Sequence, residues 1–180
     1  MTFSDAIRTC FTKFLTFSGR ASRSEYWFFF LFIVIWSIIA GIIDAQFFTQ
    51  VAVTETETSK SVTATSSAPV QSIVSLIVFI PHLAVAWRRM HDTGRSGLYA
   101  LLPILLILGA FAVLIFGIGL ASHFQHGGSL DILFTRATLL IVVPTLIVLF
   151  VSPLLVLWWL TRPSQPGVNK YGPNPIEVPQ

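Results

Sequence analysis

The stretch that decides the fold is residues 88–97, Arg88-Arg89-Met90-His91-Asp92-Thr93-Gly94-Arg95-Ser96-Gly97, a polar island between two long apolar runs. An Arg or an Asp at the centre of a bilayer-spanning helix costs about 2.5 to 3.5 kcal/mol, so the charged side chains of the island would together cost roughly 10 to 14 kcal/mol. We therefore expect the island at a membrane surface and the flanking apolar runs inside the membrane.

The composition is that of a membrane protein. Of the 180 residues 54% are hydrophobic and only 11% are charged, and the mean hydropathy is +0.78. Soluble domains carry about 25% charged residues. The net charge of +3 would raise the question of nucleic acid in a soluble protein. Here membrane topology explains the basic residues, so no nucleic-acid partner is expected.

The sequence offers no pattern for a metal or a cofactor. The single cysteine, Cys10, excludes an internal disulfide, and no Cys and His spacing is typical of a zinc site. His123, His126 and Asp131 lie close together, but Gly127-Gly128 predicts a loop there, which would not hold metal ligands rigidly. We expect neither a metal nor a cofactor.

Four apolar segments are long enough to cross a bilayer, and they predict an all-α, polytopic membrane protein. A hydrocarbon core of about 30 Å needs about 20 residues of helix. The predicted spans are approximately residues 26–46, 70–90, 98–121 and 137–161. They form a transmembrane domain of residues 26–161, between a cytosolic segment of residues 1–25 and a cytosolic tail of residues 162–180. Residues 49–69, rich in Thr and Ser, are predicted to be a solvated, mobile connection.

The cytosolic segment carries an amphipathic pattern followed by a helix start. Between residues 4 and 17 the apolar side chains recurring at helical spacing are Ile7, Cys10, Phe11, Phe14 and Phe17. This pattern predicts a short helix that either lies on the membrane surface or packs against the ends of the protein's own helices. Ser22, with Glu25 three residues later, predicts a capping box at the start of the first span.

The distribution of basic residues predicts the orientation. Nine of the 11 Lys and Arg residues fall in the N-terminal segment, the island and the tail, which four spans would place on one side of the membrane. The other side would hold only Lys60 and Arg136. The positive-inside rule therefore predicts that both termini and the island lie in the cytoplasm.

Three segments resemble the signatures of a known family. They are Gly19-Arg20-Ala21-Ser22-Arg23-Ser24-Glu25-Tyr26-Trp27, the island, and Pro166-Gly167-Val168-Asn169-Lys170-Tyr171-Gly172-Pro173-Asn174-Pro175. In this order they are similar to the bacterial inner-membrane proteins of domain of unknown function family 805, with Met90 where leucine is usual and Val168 where proline is common. The resemblance spans nearly the whole chain. It implies a small multi-pass protein of the bacterial cytoplasmic (inner) membrane with no established activity.

We hypothesise that the three segments converge on the cytosolic face into one basic site. It would bind an anionic membrane lipid, a phosphorylated small molecule or an acidic partner protein. Small residues recur in the spans, and they would allow the helices to pack alone or as a homo-oligomer, which the sequence leaves open. The candidate binding residues are Arg20, Arg23, Glu25, Arg88, Arg89, His91, Asp92, Arg95, Asn169 and Tyr171.

In this hypothesis the arginines supply charge, Glu25 and Asp92 orient them, and the tail closes the site. In the same hypothesis Asp92 bridges Arg88 or Arg95 and holds the guanidinium groups ready for an anion. The alternative is an ordinary positive-inside loop with an internal salt bridge. The sequence leaves both open.

Two other functions have less support in the sequence. Pro81-His82 in the second span would line a path in a transporter or channel, unless His82 merely bonds a carbonyl freed by the proline or a nearby Ser75. No Asp, Glu or Arg lies deep in a predicted span to complete a relay. His91 and Asp92 resemble an acid/base pair, but no nucleophile, metal set or phosphate loop accompanies them, so an enzyme is not expected.

Overall fold

The structure, a computed structural model, describes residues 1–56, 59–124 and 131–177. Its elements in chain order are α1 (Phe3–Thr12), α2 (Arg23–Phe47), β1 (Thr49–Thr56), β2 (Ser59–Ser66), α3 (Pro69–Asp92), a 3₁₀ helix (Gly97–Leu101), α4 (Leu102–Phe124) and α5 (Asp131–Thr161). His126 and the final residues of the predicted tail, 178–180, lie outside the described residues.

Three helices are long and apolar enough to cross a membrane in the described part of the chain. They are Arg23–Phe47, Pro69–Asp92 and the Val143–Thr161 part of α5. At most 28% of the residues in each span are buried inside the protein, which suits helices whose outer faces meet lipid. The predicted class, a helical membrane protein with several spans, is confirmed. The apolar segment Gly97–Ala112, which leads into α4, is not among these three helices, so four spans remain a prediction.

The N-terminal helix is shorter than its apolar pattern predicts. A capping box starts α1: Thr2 Oγ1 accepts from the Asp5 backbone N–H at 3.3 Å, and Asp5 accepts from the Thr2 N–H at 3.0 Å. The helix ends at Thr12, and a turn follows in which the Thr16 N–H donates to the Lys13 carbonyl. Apolar spacing shows which face is buried, but it does not define where a helix stops.

The connection between α2 and α3 corrects the sequence prediction. We predicted a mobile loop over residues 49–69, whereas β1 and β2 pair as an antiparallel hairpin, with Thr49 opposite Ser66 and Thr56 opposite Ser59. Thr and Val fill much of both strands, and their β-branched side chains favour extended backbone. The polar composition that suggested a loop is equally compatible with a solvated two-stranded sheet.

Asp44 ties the end of α2 to the start of α3. Its Oδ1 accepts from the Val70 N–H at 3.0 Å and its Oδ2 from the Gln71 N–H at 2.8 Å, with the residue 3% exposed. Ala68, at the N-cap position, has no side chain to do this, so Asp44 caps α3 from the neighbouring helix. A carboxylate at a helix N-terminus also suits the helix dipole. This contact joins α2 and α3 at the hairpin end.

The described core lies at the other end of α2 and α3. The buried apolar cluster consists of Cys10, Ala21, Tyr26, Phe29, Val85, Ala86, Met90, Val156 and Leu160. It therefore joins α1, α2, α3 and α5 next to the polar island. α1 packs along α2, where the Phe11 ring meets Phe29 and Phe32 edge to face at 5.6 and 5.9 Å. α4 packs against α5.

We predict that Asp44→Ala lowers the free energy of unfolding by about 1 kcal/mol, up to about 2, because two N–H groups at the start of α3 lose their acceptor. Thermal unfolding in detergent would measure this. Asp44→Asn, which keeps one acceptor oxygen, should lose less. Gln46→Ala, on the exposed surface nearby, is the matched control, and equal stability of Asp44→Ala and this control would contradict the role of Asp44 as a cap.

Candidate functional site

The last turn of α3 is the point where three distant segments meet. A helix ends with carbonyls that no residue of the same helix can satisfy. The Asp92 carbonyl is one of these and accepts from the Gln165 N–H at 3.0 Å, and the Arg88 carbonyl, one turn earlier, also accepts from the Ala21 N–H at 3.1 Å. The segment before α2 and the tail after α5 are thereby both bonded to the end of α3. Five charged side chains fill this junction, which we call the buried charge cluster: Arg20, Glu25, Arg88, Arg89 and Asp92.

Asp92 is the centre of the buried charge cluster. Its Oδ1 accepts from Arg20 Nε at 2.8 Å, and its Oδ2 accepts from Arg89 Nη1. All three side chains are almost fully buried. The predicted salt bridge from Asp92 to Arg88 or Arg95 is therefore wrong, because the carboxylate pairs instead with Arg89 of the island and with Arg20 before α2.

Glu25 and Arg88 form the second buried ion pair. Arg88 Nη1 donates to Glu25 Oε1 at 2.7 Å, which joins α2 to α3. Ser22 does cap α2, because its Oγ accepts from the Glu25 N–H at 3.2 Å. The predicted capping box is otherwise wrong, since the Glu25 carboxylate pairs with Arg88. Cys10 lies beside this pair; burial raises the pKa of its thiol to about 12, and the Glu25 charge adds to the shift.

Two arginines of the cluster, Arg20 and Arg89, also bind backbone carbonyls at the end of α5 and in the tail. Arg89 Nε donates to the Leu160 carbonyl at 3.1 Å, and Arg89 Nη2 donates to the Arg162 carbonyl. Arg20 donates to the tail carbonyls of Gln165 at 2.6 Å and Gly167 at 2.8 Å. A guanidinium group has five N–H donors in a rigid fork, so it can pair with a carboxylate and bind carbonyls at once.

The tail folds back onto the island, as its turn-forming residues predict. The Asn169 side chain donates to the His91 carbonyl at 3.0 Å, and the Tyr171 ring stacks on the His91 ring at 3.7 Å between centroids. Two backbone hydrogen bonds between Asn169 and Gly172, of 3.0 and 3.1 Å, close the turn. His91 Nδ1 lies 3.1 Å from the Gly19 carbonyl oxygen. The His91 ring is thus packed into the junction of the three segments, which does not resemble an acid/base pair with Asp92.

The segments that build this junction are the ones that carry the family resemblance. The family model described as a protein of unknown function (DUF805) matches residues 14–173. This chain belongs to the DUF805 family. Inner membrane protein YhaH of Escherichia coli K12 is 33% identical over 104 residues, which cover 58% of this chain and 76% of YhaH. Inner membrane protein YhaI of the same strain is 35% identical over 105 residues, which cover 58% of this chain and 75% of YhaI.

These relatives and the apolar helices support a multi-pass protein of the inner membrane. No solved structure matches the DUF805 chain.

The ten candidate residues of this DUF805 protein have two kinds of surroundings. Eight of them form or contact the junction: Arg20, Glu25, Arg88, Arg89, His91, Asp92, Asn169 and Tyr171. Arg23 and Arg95 lie at its edge. Arg23 is exposed and makes a 3.4 Å bond to the Thr161 carbonyl, and the Arg95 guanidinium lies 5.1 Å from the centre of the Trp159 ring.

Sequence reasoning did not select Arg162 as a site residue. Its guanidinium lies 4.8 Å from the centre of the exposed Trp158 ring, and its carbonyl accepts from Arg89. The sequence signal for Arg162 was its position directly after the tryptophans and the threonine that end α5. We interpreted it only as a topological charge.

Two glycines of the island allow other groups to approach closely. Gly94 has φ of +78°, and a Cβ atom there would lie 2.3 Å from the Gln165 amide nitrogen. A Cβ atom on Gly97 would lie 2.1 Å from the Trp87 ring. Larger residues are therefore excluded at Gly97 by the indole ring and at Gly94 by backbone strain and the tail.

The intramembrane pair Pro81-His82 lies apart from the junction. The His82 ring packs against Tyr26 at 5.8 Å and Phe30 at 6.2 Å between centroids. Its Nε2 atom is buried without a hydrogen-bond partner among the described residues. Aromatic packing of this kind gives no support to a polar path, and a transport role for His82 remains a prediction from sequence.

We predict that Asp92→Ala lowers the free energy of unfolding by about 3 to 5 kcal/mol, because it leaves two guanidinium groups buried without a counter-charge. Unfolding in detergent, together with the yield of folded protein, would measure the loss. Lys13→Gln, which alters an exposed charged residue of the N-terminal segment, is the control. An Asp92→Ala protein as stable as this control would show that the cluster does not stabilise the fold.

We also predict that Arg20→Lys releases the tail while the helices stay folded. Lysine keeps the charge, but it cannot bind Asp92 and the tail carbonyls together. Losing one charge-assisted hydrogen bond should raise the population of released tail about tenfold or more, and tryptic cleavage after the exposed Lys170 should accelerate accordingly. Arg23→Lys should leave the cleavage rate unchanged. Equal rates in wild type and Arg20→Lys would exclude this function of Arg20.

Proposed function

We propose that this DUF805 protein crosses the inner membrane four times with both termini in the cytoplasm, and that its cytosolic face binds an anionic group. The observation that carries the proposal is the charge of the junction. Three buried guanidinium groups meet only two carboxylates, so the buried charge cluster keeps one net positive charge. Arg23, Arg95 and Arg162 add further positive charge at the edge of the same junction.

The helix arrangement supports a fourth crossing by α4. The chain enters α4 beside Trp159, because the Tyr99 ring meets the Trp159 ring edge to face at 5.3 Å. α5 also ends at this level, and α4 packs against it. α4 has 23 residues, and at 1.5 Å per residue its length of about 34 Å matches a hydrocarbon core of about 30 Å. If α4 and α5 cross the membrane as an antiparallel pair, the start of α4 and the end of α5 lie on the same side.

We place α1 at the membrane interface because of which side chains in and after it are buried and which are exposed. Its inner side, with Ala6 and Cys10, is buried against the protein, and the chain just beyond it exposes Phe14 and Leu15 by 46% and 62%. Aromatic and aliphatic side chains in this position favour the boundary between head groups and acyl chains. With α1 at this level of the membrane, the basic residues of the junction would lie at the level of the lipid phosphates.

The candidate residues would have two roles, one structural and one in binding. The buried charge cluster uses most of its donors on carboxylates and backbone carbonyls, so it would hold the junction together rather than contact a ligand. Contact would come from the arginines at its edge, of which Arg23 and Arg162 are exposed and Arg95 is half-buried. An anionic lipid, a phosphorylated small molecule and an acidic protein all offer the charge that such arginines bind.

We expect cysteine labelling to give the predicted orientation. With a membrane-impermeant maleimide, Gln46→Cys should react in intact spheroplasts, whereas Val168→Cys should react only after the membrane is opened. Both positions are exposed. The native Cys10 is buried, and its raised pKa keeps it a thiol, so it should remain unlabelled in both samples. Labelling of Val168→Cys in intact spheroplasts would overturn the cytosolic placement of the tail.

Native mass spectrometry would test anion binding itself. Protein purified in mild detergent at low salt should carry an anionic species, or take up added phosphatidylglycerol or inorganic phosphate, and should lose it as salt screens the arginines. A protein that takes up none of these and carries no acidic partner would contradict the proposed function.

A further inference from the structure

A cleft lies between the island and the first residues after α5. Its lining includes Thr93, Arg95, Arg162, Ser164 and Gln165, together with the two prolines of this stretch. Its volume is about 320 Å³, at the small end of the range of about 300 to 1,000 Å³ found for ligand pockets. The Gln165 N–H bond to the Asp92 carbonyl fixes one wall against the buried charge cluster. The cleft is therefore built on the most constrained part of the molecule.

The charges of this cleft are not balanced. Two guanidinium groups line it, and no carboxylate does. Arg95 makes one hydrogen bond, from Nη1 to the Thr93 carbonyl at 3.3 Å, and the Arg162 guanidinium makes no hydrogen bond or ion pair among the described residues. The nearby Asp92 is already paired with two other arginines. Like charges in one cleft repel each other, so an anion between them would be favoured.

A hydroxyl group adds a polar partner. Ser164 Oγ is buried, and it has no hydrogen-bond partner among the described residues. A buried hydroxyl without a partner destabilises the protein, and a bound acceptor would offset this cost. Two guanidinium groups and one hydroxyl donor are the usual partners of phosphate oxygens.

The aromatic rings that pack against the two arginines indicate at which level of the membrane the cleft lies. Arg95 lies over Trp159 and Arg162 over Trp158, at 5.1 and 4.8 Å from the ring centres. Tryptophans at the ends of spans mark the membrane interface, where lipid phosphates lie. The Trp158 ring is 53% exposed, and Leu154 below it is also 53% exposed, so an apolar surface continues from the cleft along α5. A ligand with acyl chains would use this surface, and a soluble phosphate would not.

We propose that this cleft binds the phosphate of an anionic phospholipid, with Arg95 and Arg162 as the clamp and the Ser164 hydroxyl as a further donor. This deepens the proposed function and rests on it, because it assigns the anionic group a chemical class and a location. A head group with net negative charge is preferred, since the cleft has no carboxylate to bind the ammonium group of a zwitterionic lipid.

The test is a titration of detergent-purified protein with phosphatidylglycerol, followed by native mass spectrometry. Arg95→Gln and Arg162→Gln should each weaken binding about fivefold or more, because each removes one cation near the lipid phosphate. Lys170→Gln, which removes an exposed cation of the tail outside the cleft, should bind like wild type. Ser164→Ala should weaken binding less than either arginine variant. Phosphatidylcholine and inorganic phosphate serve as the zwitterionic and the soluble probe.

Thermal unfolding of each variant separates loss of binding from loss of the fold, and Arg162→Lys, which keeps the charge, should retain part of the affinity. Wild-type affinity in both folded glutamine variants would overturn the cleft assignment while leaving anion binding elsewhere on the cytosolic face intact. Displacement of phosphatidylglycerol by inorganic phosphate would overturn the lipid assignment in favour of a soluble phosphate. Absence of binding by the wild-type protein to any of the three probes would overturn the cleft.

Discussion

The burial of the Asp92 carboxylate between Arg20 and Arg89 is the constraint on which the rest of the junction depends. A carboxylate away from water must be paired, and a buried ion pair is stable only when its remaining donors are also satisfied. The two arginines meet this condition by binding carbonyls at the end of α5 and in the tail. One ion-pair network therefore positions the segment before α2, the end of α5 and the tail relative to α3.

Helix termini explain why this network consists of arginines. Each helix that ends at the junction leaves carbonyls without partners inside the helix. Near a membrane surface, water is a less available partner than in a soluble protein, and a fork of N–H donors can satisfy several carbonyls at once. Arg89 donates to the carbonyls of Leu160 and Arg162. The Ala21 and Gln165 N–H groups donate to the Arg88 and Asp92 carbonyls of α3. The three family segments thus have a common structural role as mutual caps.

The same network separates the buried charge from the charge at its edge. Donors inside the buried charge cluster are occupied, with the exception of Arg88 Nε and Nη2 among the described residues. Arg95 and Arg162 stand at its edge, where each guanidinium lies over a tryptophan ring. In the proposed function, the rigid interior positions these two arginines for an anionic group.

The sequence by itself determined the class and the three spanning helices of the described residues, because burying charge in lipid is so unfavourable that hydropathy alone identifies apolar spans. The hypothesis that the tail closes the site also required the tail to fold back onto the island. Only the tertiary structure decided that Asp92 pairs with Arg20 rather than Arg95, and that Glu25 pairs with Arg88 rather than closing a capping box. These partners lie 72 and 63 residues apart, and local spacing carries no information about them. The β-hairpin escaped prediction because a polar, β-branched segment is compatible with both a loop and a solvated sheet, and cross-strand pairing decides between them.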